Sequence, residues 1–347
     1  MILPGLIDAH VHLRVPGGEY KEDYKTGTAA ALAGGFTTIL GMPNTNPPLV
    51  TLKEWEISNK AAQSHALCDV YLYAGASEQH LDALKQLSTH AIGLKIYMDQ
   101  TYGPLRVQGL DVLLAVFETW PKNKPICVHA ENESVAIAIG LAASYRRHVH
   151  LCHISRREEI EMIAKAKAEG VQITCEVTPH HLFLDESDAA RLGAYGDIRP
   201  ILQPRSDVEA LWKHINTTVD IIASDHAPHT HADKEPAEPG KTSPPGIPGL
   251  ESTLPLMLTA AAERRLSYER LVDLLYTNPR KIFNLPLQAD TCVEVDEKYA
   301  YQFPTVPLNT KCGWSPYEGR KMIGCVKRVV LRGHEMVSDG IVTGFSH

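Results

Sequence analysis

Six side chains able to hold a divalent cation or a moving proton fall at matching places along this chain. His10 and His12 close an apolar run at residues 3–13, Lys95 lies inside the run 93–97, and His129 closes the run 125–129. His153 closes 148–153, and Asp225 directly follows 220–224. His10 and His12 are two residues apart, so on a strand both imidazoles point the same way. Two neutral imidazoles on one face can chelate a single ion, and a His/Asp set favours zinc. Alone, the His-x-His pair reads equally well as two incidental polar residues at a loop entrance. Four further ligand-type residues at strand ends remove that reading. Lys95 is an isolated charge in Gly93-Leu94-Lys95-Ile96-Tyr97, and a buried lysine must be paired, neutral or chemically altered. It either meets a carboxylate or reacts with CO₂ to a carbamate, an anion that can bridge two metal ions. The histidines favour the carbamate.

These residues need a frame that brings several strand ends to one mouth. Short β-branched runs alternate with longer helical patterns, the signature of βα units on a parallel sheet. Strands are expected at residues 3–13, 37–42, 69–74, 93–97, 125–129, 148–153, 172–177 and 220–224, and helices at 23–33, 52–64, 110–120, 156–169 and 208–216. Eight such strands predict a closed (β/α)₈ barrel of the TIM type, whose active site forms at the C-terminal strand ends. The Pro/Gly-rich stretch 236–248 predicts a long loop over one end. Helical patterns follow at 251–264 and 267–276, and the alternating tail 324–342 predicts a small C-terminal β appendage. The expected organisation is an α/β barrel over 1–285 and an extension over 286–347 that completes a small β subdomain.

Lys plus Arg is 34 and Asp plus Glu is 41 in 347 residues, a formal charge of −7. Such a chain, without a basic run, repels phosphate backbones, so no nucleic-acid partner is expected. No apolar run approaches the ~18 residues of a membrane span, and the first residues lack the basic and apolar regions of a signal peptide. Seven cysteines, an odd number scattered through apolar runs, read as small buried hydrophobes in a reducing, cytoplasmic setting.

The ligand constellation resembles the amidohydrolase superfamily over residues 3 to about 339. Three motifs are similar to those of its dihydroorotases: Asp8-Ala9-His10-Val11-His12-Leu13-Arg14 with Pro16-Gly17, Met42-Pro43-Asn44-Thr45 with Pro47, and Ala223-Ser224-Asp225-His226-Ala227-Pro228-His229. Glu176-Val177-Thr178-Pro179-His180-His181-Leu182 and Gly246-Ile247-Pro248-Gly249-Leu250-Glu251 resemble the branch fused into the animal multifunctional pyrimidine-synthesis protein. The resemblance implies His10, His12 and Asp225 on one zinc ion, His129 and His153 on the other, and Lys95 between them as N6-carboxylysine. It also implies a third zinc beside His129 if Cys152 and Glu176 take part, although Cys152 alone reads as a structural cysteine facing away from His153. The implied reaction is the reversible cyclisation of N-carbamoyl-L-aspartate to L-dihydroorotate in de novo pyrimidine biosynthesis. Water activated by the ions attacks the ring amide, and Asp225 shuttles the proton.

That substrate carries a carboxylate remote from the reacting amide, and a planar guanidinium binds a carboxylate bidentately. Arg14 is the natural clamp, helped by Asn44 and Arg199, and the resemblance adds His229, Pro245 and Gly246. For either arginine the bland reading is a surface salt bridge. Dihydroorotases resemble one another in a flexible loop after strand four, here Asp99-Gln100-Thr101-Tyr102-Gly103-Pro104, whose contacts match Thr101 and Tyr102. The animal branch has phenylalanine at Tyr102, most relatives have glutamate at Val15, and Ile198-Arg199-Pro200 differs from many bacterial members. His180 and His181 are left unassigned, and His148 and His150 are unremarkable by position. A dihydropyrimidinase or allantoinase would not need the Arg14/Asn44 pair. A catalytically dead scaffold barrel would have lost metal ligands, and none is missing. A homodimer is expected. Whether the chain is free-standing, or a domain fused to carbamoyl phosphate synthetase and aspartate transcarbamoylase, stays open.

Overall fold

The computed structural model describes residues 1–237 and 242–343; residues 238–241 of the expected 236–248 loop lie outside the described residues. The strands in chain order are β1 (Ile2–Pro4), β2 (Leu6–Val11), β3 (Phe36–Gly41), β4 (Asp69–Leu72), β5 (Ala74–Gly75), β6 (Leu94–Tyr97) and β7 (Ile126–His129). They continue as β8 (Val149–Leu151), β9 (Ile173–Val177), β10 (Ile221–Ile222), β11 (Cys292–Gln302), β12 (Lys321–Leu331), β13 (His334–Ser338) and β14 (Ile341–Val342). β2 pairs in parallel with β3, and β3 with β4. A second parallel ladder runs from β5 through β6, β7, β8 and β9 to β10. At Tyr73 the chain passes from one ladder to the other: its N–H bonds Gly41 on one side, and that of Ala74 bonds Gly93 on the other. The circle closes where the His12 N–H donates to the His226 carbonyl at 2.8 Å and Asp8 accepts the Ser224 N–H at 3.1 Å. The molecule is the expected α/β barrel.

Helices pack outside because their apolar stripes must be buried. Tyr24–Ala33 is fixed by Asp23, whose carboxylate accepts the Thr26 N–H while the Thr26 hydroxyl faces back to the Asp23 N–H. Leu110–Thr119 buries Leu113, Val116 and Phe117. The barrel interior is filled by Ile7, Ala9, Leu40, Met42, Tyr73, Cys127, Cys152, Ile221 and Ala223, capped by Phe283 and Leu285.

The first expected strand is corrected. Residues 3–13 are not one strand but two, broken at Gly5. β1 leaves the barrel and pairs antiparallel with β11, joining the sheet β1-β11-β12-β13-β14. A side chain at Gly5 would meet the Thr37 hydroxyl at 2.2 Å, so the chain can cross between sheets only where that atom is missing. The β appendage therefore takes its edge strand from the N-terminus.

Candidate metal and substrate site

β2 delivers His10, and the residues beyond it deliver His12 and Arg14. Lys95 lies in β6, His129 ends β7, His153 follows β8 by two residues, and Asp225 follows β10 by three. Arg14, His153 and Asp225 all have positive φ, at 60°, 34° and 45°. Backbone in that region costs of order 1–3 kcal/mol per residue and persists only where the surroundings dictate it. Here it turns three side chains off their strands into one mouth.

Asp225 Oδ1 lies 3.1 Å from His12 Nε2 and 3.3 Å from His10 Nε2. The three donors approach closely enough to hold one ion. His129 Nδ1 and His153 Nε2 face each other at 2.9 Å, with His129 Nε2 3.2 Å from Glu131. Burial lowers the pKa of His12 to about 4 and holds His129 and His153 below the ordinary value. The imidazoles are therefore neutral, the form that ligates metal. Burial alone would raise Asp225, but His10 and His12 beside it outweigh that and hold it below the usual carboxylate range. His153 Nδ1 and His180 Nε2 are buried without a partner. Lys95 is fully buried; its Nζ lies 3.0 Å from Cys152 Sγ, and no carboxylate pairs with it among the described residues. Neutral histidines, the Asp225 carboxylate and a buried lysine without a carboxylate partner among the described residues fit a two-metal centre.

Cys152 and Glu176 gather about His10, where the resemblance implied a site beside His129. Cys152 packs among the side chains that fill the barrel, with its Sγ turned to Lys95 Nζ. Glu176 accepts from His10 Nδ1 at 2.5 Å, from His150 Nε2 at 3.0 Å and from the His153 N–H at 3.2 Å. Burial would raise Glu176, but His10 and His150 hold it well below the usual range.

Arg14, Asn44, Thr101, Tyr102, Arg199, Pro245 and Gly246 line the same pocket as the ligands, together with His180. Arg14 is buried; its Nε has no partner, and no acidic group pairs with it among the described residues. Its Nη2 approaches His229 Nε2 at 3.2 Å. Asn44 is committed differently from expectation. Its Oδ1 takes the His12 Nδ1–H at 2.6 Å, and its Nδ2 donates to the Tyr102 carbonyl at 3.1 Å, so it aims a ligand and holds the loop. The Arg199 guanidinium turns back on Asp197 and on the Ile198 carbonyl, 2.7 Å away. Gly246 has φ 138°, and a side chain there would meet the Ala227 carbonyl at 2.5 Å, so the pocket wall requires glycine.

Sequence reasoning missed Lys21, His150 and His180. His148, His150 and Cys152 alternate on one strand face, a signal that would have put His150 inside the barrel. Nothing local marks Lys21.

The Amidohydrolase family profile matches residues 1–289. A dihydroorotase of Methanosphaera stadtmanae is 36% identical over 99% of this chain and 86% of its own length. The chain belongs to the dihydroorotases of the amidohydrolase family. The multifunctional protein CAD of Squalus acanthias is 49% identical over 98% of this amidohydrolase chain, which spans 15% of that relative's length. Among solved structures, an L-hydantoinase (dihydropyrimidinase) from Arthrobacter aurescens aligns with a TM-score of 0.91 at 26% identity, covering 99% of this chain and 86% of that one. No helix among the described residues is long and apolar enough to cross a membrane.

Proposed function

We infer that this chain catalyses the reversible cyclisation of N-carbamoyl-L-aspartate to L-dihydroorotate. The observation that carries the reading is Arg14, a buried guanidinium without an acidic partner among the described residues, in the pocket that holds His10, His12 and Asp225. An unpaired buried cation is costly, and a substrate carboxylate would complete it. A hydantoin or dihydropyrimidine substrate offers no such anion, which separates this site from that of the hydantoinase neighbour. Arg14→Met should raise KM for carbamoyl aspartate by roughly a hundredfold, the loss of one charge-assisted contact, with metal content unchanged. Steady-state kinetics beside metal analysis checks this; an unchanged KM would point to an uncharged substrate.

His10, His12 and Asp225 would hold one zinc ion, and His129 and His153 a second, with Lys95 carboxylated between them. Histidine-rich sets with few carboxylates suit zinc. When bound, such ions supply Lewis-acid polarisation and lower the pKa of water. In the hydrolytic direction Asp225 takes the proton from the attacking water at its carboxylate and hands it to the ring nitrogen as the C–N bond breaks. In the biosynthetic direction it removes the ureido nitrogen proton. Asn44 and Glu176 fix the His12 and His10 rings through their Nδ1 atoms. A third zinc on His10, Cys152 and Glu176 would have to displace the Glu176 hydrogen bonds, and the same metal analysis counts it. A homodimer in the cytosol and fusion to the neighbouring pathway enzymes complete the proposal; sedimentation tests the dimer.

Residues 99–104 cover the pocket and exclude water from a reaction otherwise drawn toward hydrolysis. Thr101→Ala should cut kcat at least about tenfold while thermal stability moves by under ~0.5 kcal/mol, as at an ordinary exposed position. Unchanged kcat and KM would leave the loop no part in catalysis.

A further inference from the structure

Lys21 is 4% exposed and sits beneath the 99–104 loop. Its Nζ lies 3.2 Å from the Tyr102 hydroxyl, 3.0 Å from His229 Nδ1 and 3.5 Å from Asp233. An ammonium has three protons, and these are three acceptors. The Lys21 ammonium can only donate, so His229 Nδ1 is the acceptor and the proton of the neutral ring sits on Nε2, toward the Pro245 carbonyl at 3.1 Å; Arg14 Nη2 then touches that nitrogen without a hydrogen bond. The Tyr102 ring meets His229 edge-on at 5.1 Å and lies 5.2 Å from the Arg14 guanidinium carbon. Outside the loop is a second cavity of about 380 Å³. Arg14, Asn44 and Tyr102 line both this cavity and the catalytic pocket, whereas Lys21, Tyr20 and Asn46 line the outer one alone. Tyr102 is therefore a shared wall between two spaces, and Lys21 is what its hydroxyl holds.

We propose that Lys21 is the latch of the substrate pocket: its bond to the Tyr102 hydroxyl keeps the partition shut, and a carboxylate substrate passes from the outer cavity to Arg14 when that bond opens. The proposal rests on the dihydroorotase reading for the identity of the ligand, and on the geometry alone for the latch. Phenylalanine at position 102 would keep the ring packing but leave one Lys21 N–H buried and unpaired, which favours the open loop. Asp233 would keep Tyr20 and Thr230 as partners if Lys21 were lost, so the surrounding turn need not unfold.

The test is hydrogen exchange of residues 99–104 in the free, metal-loaded protein, for Lys21→Met, Tyr102→Phe and the double variant. Each single variant should exchange about tenfold faster in this loop, with the barrel strands unchanged, since both lose the bond between the Lys21 ammonium and the Tyr102 hydroxyl. The double variant should be no faster than Lys21→Met alone, because the one bond that Tyr102→Phe removes is already lost in that variant. Unchanged exchange in Tyr102→Phe overturns the latch. So does additive acceleration in the double variant, which would mean that Lys21 acts through His229 or Asp233 instead. A parent protein that shows the expected exchange but cannot cyclise carbamoyl aspartate would sink the functional reading and leave the latch standing.

Discussion

Asp225→Asn will fold and lose turnover in both directions by roughly 10²–10⁴-fold, the usual worth of a positioned acid–base group. The fold survives because Asp225 has φ 45°, a region that asparagine tolerates as well as aspartate. The change is nearly isosteric, so the contacts with His10 Nε2 and His12 Nε2 can persist through the remaining oxygen. What disappears is the carboxylate that takes the proton and returns it. The Asp225 carboxyl lies below the usual carboxylate range, so it enters the hydrolytic cycle as a base, and an amide cannot take its place. Rates of cyclisation and hydrolysis, measured with bound metal counted in the same preparation, separate proton transfer from metal loss. A variant retaining more than about a tenth of the parent rate, a barrier change below ~1.4 kcal/mol, would remove Asp225 from the acid–base role.

Much of this site was legible because strand periodicity and strand ends are properties of short sequence windows. Placing His129 at the end of an apolar run needs no tertiary information, and eight such runs define the barrel. The break at Gly5 was not legible, since apolar residues continue on both sides of it and the clash that forbids a side chain comes from Thr37, thirty-two positions away. The helix Glu133–Tyr145 escaped for a related reason. Val135, Ala138, Leu141 and Ala142 are buried, yet Ile137 stands 44% exposed, so no clean stripe shows in the sequence. Side-chain partners were the least legible. Asn44 was expected to help clamp substrate and spends its oxygen on His12, and the Lys21 ammonium meets Tyr102, His229 and Asp233, residues 81 to 212 positions away.

Lys95→Ala will lose bound metal and activity together. Lys95 is fully buried between β5 and β7, its Nζ facing Cys152 Sγ at 3.0 Å and lying 5.1 Å from the centre of the Tyr97 ring. Burial pushes the Cys152 thiol well above its ordinary pKa, so no thiolate stands ready to neutralise an ammonium. A free ammonium there would be an uncompensated buried charge costing several kcal/mol, and its removal should then stabilise the protein and leave metal binding improved. A carbamate shared by two ions makes the opposite prediction. Its removal leaves His10, His12 and Asp225 on one side and His129 and His153 on the other without a common anion, and affinity falls for both ions. Because metal binds the folded state, thermal stability in excess metal falls with it. The loss of water activation is worth several kcal/mol, so the rate should drop more than about a hundredfold, and a short carboxylic acid added to the alanine variant should restore part of it by filling the vacated space. Elemental analysis per chain, melting temperature with and without added zinc, and the rate with added acetate decide between the two. A Lys95→Ala protein that melts higher and still holds two ions would show that the lysine was never a bridge.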